Sequence, residues 1–165
     1  MKRKLGIAAT SLAALFIVLL LANYDYILEV RARQFTAAAW EGDLTTMRIL
    51  FWLGADVNRD APGRGPAIVS AAWNGHTKIV EFLLDRGADI NARAKINNTP
   101  IQQAASNGHL ETVRLLLSKG ANVNIVGDGG SALHLAIENG YTDIAELLRQ
   151  HGAKDCSEYQ SNQCW

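Results

Sequence analysis

Histidine and cysteine are the side chains in this sequence best suited to acid–base, nucleophilic or metal chemistry. The four histidines are His76, His109, His134 and His151, and the two cysteines are Cys156 and Cys164. His76 and His109 each follow a glycine in an Asn-Gly-His segment, which marks them as parts of a repeated turn. The cysteines lack the two-residue spacing of thiol oxidoreductases, and two cysteines without further ligands do not complete a tetrahedral metal site. We therefore predict a non-enzymatic protein with no cofactor, no metal and no small-molecule substrate.

Both cysteines fall in a polar tail, residues 154–165. In an exported chain, Cys156 and Cys164 would meet an oxidising compartment and could close a small disulfide loop. The alternative is a pair of free thiols in a loose tail. Whether the disulfide or the free thiols are expected depends on whether the chain is exported, and the N-terminal residues bear on that question.

The first residues have the pattern of a membrane-targeting segment. Three basic residues at positions 2–4 precede Leu5–Ala22, a stretch without a charged residue. A helix of that length covers roughly 27 Å, close to the ~30 Å hydrocarbon core of a bilayer. A cleaved signal peptide has a shorter apolar core and small residues before its cleavage site, where cleavage after Ala22 would find Leu20. We predict a membrane anchor in residues 1–23, with a cleaved signal peptide as the alternative.

The charges around this segment predict an orientation. Basic residues stay on the cytoplasmic side, so the rest of the chain would face the periplasm or another extracytoplasmic space. Tyr24 and Tyr26 fall where interfacial aromatic residues usually lie, in a juxtamembrane linker of residues 24–32. The whole chain balances 16 basic against 16 acidic residues, so no global charge indicates nucleic-acid binding.

The remainder of the sequence repeats itself at intervals of 33, 33 and 32 residues. Three series share this phase: Gly42, Gly75, Gly108 and Gly140; Gly54, Gly87, Gly120 and Gly152; and the Asp/Asn-x-Asn segments that begin at Asp56, Asp89 and Asn122. In the third unit, Ala104-Ala105 closes a short helix before the turn at Gly108. The residues from Val113 to Leu117 give a second helix its apolar face, and Gly120 ends it. Such short helices need stacked neighbours to bury their apolar faces, as in a solenoid.

Two segments carry the signature of a known repeat family. Thr99–Ala104, with the sequence Thr-Pro-Ile-Gln-Gln-Ala, resembles the Thr-Pro-Leu-His-x-Ala signature of ankyrin repeats, and Ser131–Ala136 resembles it too. Residues 66–71 and 33–38 are poorer copies. The resemblance covers residues 33–153 and implies an all-α ankyrin-repeat solenoid of helix-turn-helix units with β-turn fingers, preceded by the single N-terminal helix. The four repeats are 33–65, 66–98, 99–130 and 131–153.

The signature histidine is present in one unit only, as His134. In ankyrin repeats this residue braces the turn by hydrogen bonding. The resemblance implies that Thr36 or Gln102 would serve less well at the same position, and that Val69 cannot serve at all.

The two ends of the array differ from its middle. The outer helices place an apolar residue at one equivalent position, such as Leu84 and Leu117, but the fourth unit has Arg149 there, which indicates a cap. In the first unit, Trp52 and Leu53 stand where the other units have polar residues. This pair would rest on lipid or on the linker, or it would make a packing contact within the first repeat.

The resemblance also implies where a partner would bind, because ankyrin repeats use the finger tips and the inner-helix residues of their concave side. The matching inner-helix positions are Trp40, Glu41, Trp73, Asn74, Ser106, Asn107, Glu138 and Asn139, and the finger positions are Pro62, Gly63, Gly65, Lys95, Ile96, Asn98, Gly127, Asp128 and Gly130. Trp40 and Trp73 are one repeat apart and should lie side by side as a binding hot spot. The alternative is that these indoles pack on the neighbouring finger.

These features predict a protein–protein interaction scaffold outside the cytoplasm, which binds another protein through the concave face and the fingers. By analogy with small exported ankyrin-repeat proteins, it would be an accessory protein of an exported enzyme or an immunity-type protein. A structural membrane organiser that self-associates through Leu5–Ala22 is the alternative, although that segment has no Gly-x-x-x-Gly motif.

Overall fold

A computed structural model of the protein describes residues 26–94 and 97–154. The predicted anchor Leu5–Ala22, Tyr24, the finger residues Lys95 and Ile96, and the pair Cys156 and Cys164 lie outside these described residues. Among the residues that are described, none of the helices combines the length and the apolar character that crossing a membrane requires.

The described chain forms four consecutive helical hairpins. In chain order, its elements are α1 (26–41), α2 (Leu44–Trp52), α3 (Ala67–Trp73), α4 (Thr77–Leu84), α5 (Pro100–Ser106), α6 (Leu110–Ser118), β1 (Val126–Gly127), β2 (Gly130–Ser131), α7 (Ala132–Glu138) and α8 (Thr142–Gln150). The inner helices α3, α5 and α7 stack in one row, and the outer helices α4, α6 and α8 stack in a second row. This arrangement confirms the predicted all-α repeat solenoid.

One continuous core joins the four hairpins. The inner helices contribute alanines such as Ala71 and Ala104, whose small side chains let neighbouring helices approach closely. The outer helices contribute larger residues at repeat spacing, including Leu83 and Leu116, which are fully buried. The short helices thus bury their apolar faces against the next repeat, as the solenoid interpretation predicts.

Helix α1 is longer than the other inner helices. Residues 26–34 continue without a break into the part that packs in the first repeat, where Ala32 and Phe35 are buried. Glu29 and Arg33 face each other one turn apart at 3.9 Å. The described part of the predicted juxtamembrane linker is therefore helical and belongs to the same helix as Trp40.

The Asp/Asn-x-Asn series forms a ladder of hydrogen bonds between repeats. The Asn58 side chain donates to the Gly87 carbonyl and accepts from the Asp89 backbone N–H, both at 2.9 Å. Asn91 accepts from the Asn122 N–H at 3.0 Å. At the end of the array Asn124 repeats the Asn58 pattern with Gly152 and Lys154. Each asparagine therefore ties its repeat to the next one.

We expect Asn58→Ala to lower the free energy of unfolding by about 1–2 kcal/mol, because it removes two hydrogen bonds between repeats. Urea titration of the full chain in mild detergent, followed by circular dichroism, measures this change. The neighbouring exposed Arg59 provides the control, since Arg59→Ala leaves the ladder intact. Equal midpoints for the two variants would contradict a stabilising role for the ladder.

The fingers are short antiparallel turns of the backbone. Ala61 pairs with Gly65 in the first finger, and the third is a hairpin in which Val126 pairs with Ser131. The Gln102 side chain holds this hairpin by donating to the carbonyls of Gly130 at 2.6 Å and Ile125 at 3.2 Å. Gln102 thus braces a finger from the signature-histidine position.

The other two residues considered for bracing differ from Gln102. The buried Thr36 hydroxyl has no hydrogen-bond partner among the described residues. The His134 ring packs against Gly130, where an added Cβ would lie 2.7 Å from the imidazole. The signature-histidine position therefore supports a finger in two ways: His134 does so through packing in the fourth repeat, and Gln102 does so through hydrogen bonds in the third.

The first repeat exposes apolar residues at its outer surface. Trp52 is 83% exposed and Leu53 is 45% exposed, so the described residues bury little of the Trp52 side chain, and the packing contact predicted as one alternative does not cover it. Phe51 meets Phe82 edge to face at 6.0 Å, and the Arg86 guanidinium lies 3.7 Å from the centre of the Phe82 ring. Arg149, at the position in α8 that corresponds to Phe51, is exposed as expected of a cap.

Candidate functional site

Trp40 and Trp73 stand next to each other at the ends of their inner helices. Their ring centroids are 6.3 Å apart, and the ring planes meet at 26°. The two side chains are 43% and 39% exposed. This geometry confirms that residues one repeat apart lie side by side, and it leaves part of each indole open to a partner.

Histidines from the following repeats hold the backbone of this pair. His76 Nε2 lies 3.0 Å from the Trp40 carbonyl oxygen, and His109 Nε2 lies 2.8 Å from that of Trp73. A carbonyl only accepts, so each Nε2 carries the proton and donates it. The two histidines thus have the structural role that their place in the repeated turn predicts.

The turn glycines make room for these rings. A Cβ on Gly42 would lie 2.8 Å from the His76 ring, and one on Gly75 would lie 2.5 Å from the His109 ring. Both glycines have positive φ angles, +82° and +69°, which L-residues rarely adopt. The glycine and the histidine of successive repeats therefore form one packing unit behind each tryptophan.

The tryptophan pair forms one wall of a groove, and the first finger forms the other wall. The groove is lined by Trp40, Gly63, Arg64, Val69, Ser70, Trp73, Ala94 and Gln103. Its volume is about 190 Å³, and a wider recess of about 400 Å³ shares its Trp40 end. The lining is mainly apolar, with a serine and a glutamine at the floor and one arginine on the finger. Such a surface suits an apolar side chain with a polar or acidic neighbour.

Sequence reasoning missed several lining residues. It selected Gly63 and Gly65 in the first finger but not the exposed Arg64 between them. A guanidinium offers a planar set of donors that matches a carboxylate, so Arg64 is the charged contact this groove can provide. The position of Arg64 between two finger residues was enough to indicate that it belongs to the finger surface. Ser70 and Gln103 gave no signal, because their place at the floor depends on the stacking.

The predicted inner-helix asparagines have structural roles. The side-chain amides of Asn74, Asn107 and Asn139 donate to carbonyls four residues earlier, at 3.3, 2.9 and 2.8 Å. Each of them also takes the C-cap position of its inner helix. These hydrogen bonds complete the ends of the short helices, so the recurrence of asparagine there has a structural cause.

Ser106 and Glu138 occupy the tryptophan position in the third and fourth repeats. Ser106 is half-buried, and Glu138 is exposed with a carboxylate oxygen 3.8 Å from His134 Nε2. Glu41 is exposed beside Trp40. These residues continue the concave row but do not line the groove.

The predicted finger residues divide by exposure. Pro62, Gly63 and Asp128 are exposed, whereas Gly65, Gly127 and Gly130 are buried. Asn98 is 8% exposed, and its Oδ1 has no hydrogen-bond partner among the described residues. A Cβ on Gly127 would collide with that oxygen, so the third finger covers Asn98. The Asn98 side chain is therefore not part of the exposed surface.

Comparison with known proteins bears on this architecture. The family model described as ankyrin repeats (3 copies) matches residues 35–127 and, in a second overlapping match, residues 68–159. No curated protein matches the chain. The matched region contains all four helical hairpins except the beginning of α1, and ankyrin repeats generally mediate protein–protein interactions. The chain therefore belongs to the ankyrin-repeat family.

Proposed function

We propose that this protein is a non-enzymatic scaffold that holds another protein through the groove between Trp40, Trp73 and the first finger. The stacked, half-open tryptophan pair is the observation that carries this proposal. Aromatic side chains that become fully covered at an interface supply a large share of binding energy. Here two of them stand together on the concave side of an array whose family binds proteins.

The groove also favours a kind of partner segment. Its apolar walls suit an aliphatic or aromatic side chain, which would slide between the indoles and Gly63. Arg64 on the finger suits a carboxylate near that side chain. We therefore infer that the partner presents an apolar residue followed or preceded by an acidic one.

We further propose that the scaffold works outside the cytoplasm, anchored by Leu5–Ala22 in a membrane. The support comes from the sequence, where basic positions 2–4 precede an uncharged stretch long enough to span a bilayer. In that location the protein would assist an exported enzyme or would neutralise a toxin as an immunity-type protein. The identity of the captured partner separates these two roles.

The test is capture of partners by the full chain from detergent-solubilised membranes of its source cells. We expect Arg64→Glu to lower the recovery of the bound protein by roughly tenfold, because it replaces attraction of a carboxylate by repulsion. The exposed Arg59, which does not line the groove, receives the same charge reversal as a control and should keep full recovery.

Two outcomes would contradict these proposals. Equal recovery by Arg64→Glu and by the wild-type chain would remove the groove from the binding surface. Protease added to sealed spheroplasts should digest the repeats, and protection of the repeats there would contradict the extracytoplasmic location while leaving the groove proposal in place.

A further inference from the structure

The two ends of the solenoid present different outer surfaces. At the C-terminal end of α2, Ile49, Trp52 and the C-cap residue Leu53 are all exposed, and their spacing of three and four residues puts them on one face. We call these three residues the α2 apolar face. The corresponding end of α8 presents Gln150 and His151 where α2 has Trp52 and Leu53. A polar outer surface is what keeps a terminal repeat soluble, so the first repeat is the end that needs a cover.

The α2 apolar face lies at the end of the first repeat where α1 enters. The two helices are joined by a tight turn at Gly42, so α2 returns antiparallel to α1. Trp52 therefore lies beside the N-terminal half of α1, which begins its described part with the exposed Tyr26 and Ile27. Five of the ten large hydrophobic residues that are exposed in the described chain belong to this repeat, and Tyr26 and Ile27 precede it on α1: the five are Trp40, Ile49, Phe51, Trp52 and Leu53.

The chain before Tyr26 limits what can cover this face. Residues 23–25 are all that separate Tyr26 from the apolar segment Leu5–Ala22. Four residue steps span at most about 14 Å when fully extended. Whatever surrounds Leu5–Ala22 is thus held close to the end of the repeat that exposes Trp52.

We propose that the α2 apolar face lies in the interfacial layer of the membrane, next to the point where the chain enters it. This proposal rests on the proposed anchoring of Leu5–Ala22. Tryptophan suits that layer because its ring is apolar and its N–H needs a polar partner. Arg48, one turn before Trp52 on the same face of α2, can reach lipid phosphates.

The contact has a consequence for orientation. One anchor segment alone fixes where the solenoid is attached but leaves it free to swing. A second contact, on a different helix of the same rigid repeat, fixes which side of the array faces the bilayer. The groove at Trp40 and Trp73 is then presented at a constant angle to proteins near the membrane.

The test uses the full chain reconstituted into phosphatidylcholine–phosphatidylglycerol vesicles, with and without brominated acyl chains that quench nearby tryptophan fluorescence. We expect Trp52→Phe to lower the quenched fraction of the emission by about twofold, because Trp52 is the described indole placed at the interface. Trp40→Phe is the matched control, and it should leave the quenched fluorescence unchanged. Both changes keep an aromatic ring and spare the core.

If something other than the membrane covers the α2 apolar face, these measurements give a different result. If the chain stays in membranes at alkaline pH but Trp52→Phe does not change the quenching, the anchor stands and this proposal is wrong. If Trp52 were instead buried in a second copy of the chain, cross-linking would give a dimer that Trp52→Glu abolishes, and the brominated lipids would not quench its fluorescence. That result would also overturn this proposal. Release of the chain at alkaline pH would overturn the anchor and this proposal together, and would leave capture by the groove unaffected.

Discussion

Trp73→Ala should weaken binding of the captured partner by roughly 30- to 700-fold, the equivalent of about 2–4 kcal/mol for a central aromatic contact. The substitution removes one groove wall and the ring that stacks on Trp40 at 6.3 Å. Because the indole is 39% exposed, its loss should cost the fold only about 1 kcal/mol. Dissociation constants for the purified partner and melting temperatures of the full chain measure the two effects separately.

Trp52→Ala is the control for this prediction. It removes an even more exposed indole from the same array, outside the groove, so binding of the partner should not change. A large fall in the melting temperature of Trp73→Ala with binding intact would show the opposite of what we expect. In that case the Trp73 indole would pack on the neighbouring finger, which is the alternative that the sequence leaves open for this position.

Gly75→Ala should lower the free energy of unfolding by about 2–4 kcal/mol. The residue would be held at a φ of +69°, and its Cβ would lie 2.5 Å from the His109 ring. The ring must move, which breaks the hydrogen bond from His109 Nε2 to the Trp73 carbonyl. The left-handed backbone costs about 1 kcal/mol, and the lost hydrogen bond and the displaced ring account for the rest. Urea unfolding of the full chain in mild detergent gives the value.

Gly87→Ala separates these contributions. Gly87 has a similar φ of +82°, but an added Cβ would meet no atom within 4 Å. Its substitution should therefore cost only the backbone part, about 1 kcal/mol. Equal losses for the two variants would mean that the contact between Gly75 and His109 contributes nothing to stability.

The architecture was predictable because its contacts are local and periodic. Gly108 and Gly120 mark the turns of a unit whose apolar residues recur at the helical period, and each unit packs only on its neighbours. The hydrogen bonds between units were harder to predict from the sequence. Nothing in the sequence near Asn58 indicates that its amide meets Gly87, because that contact exists only after two repeats have stacked.

The candidate site was predictable in part for the same reason. Trp40 and Trp73 share one position of the repeat, so their proximity follows from the period alone. The groove beside them is built from α3, α5 and the first finger together, which is why Gln103 was not foreseen. Asn98 illustrates the converse, since its place in a finger suggested an exposed side chain, but the third finger covers it through Gly127 once the repeats have stacked.

The unbroken helix α1 fixes a distance as well as a connection. Trp40 lies fourteen residues along it from Tyr26, which corresponds to roughly 21 Å of helix. A stiff rod of that length acts as a ruler between Tyr26 and the first indole. With Leu5–Ala22 anchored in a membrane as we propose, partners whose binding segment lies at the height set by this rod would bind in preference to partners that carry the same segment higher or lower, even where the two segments are chemically identical.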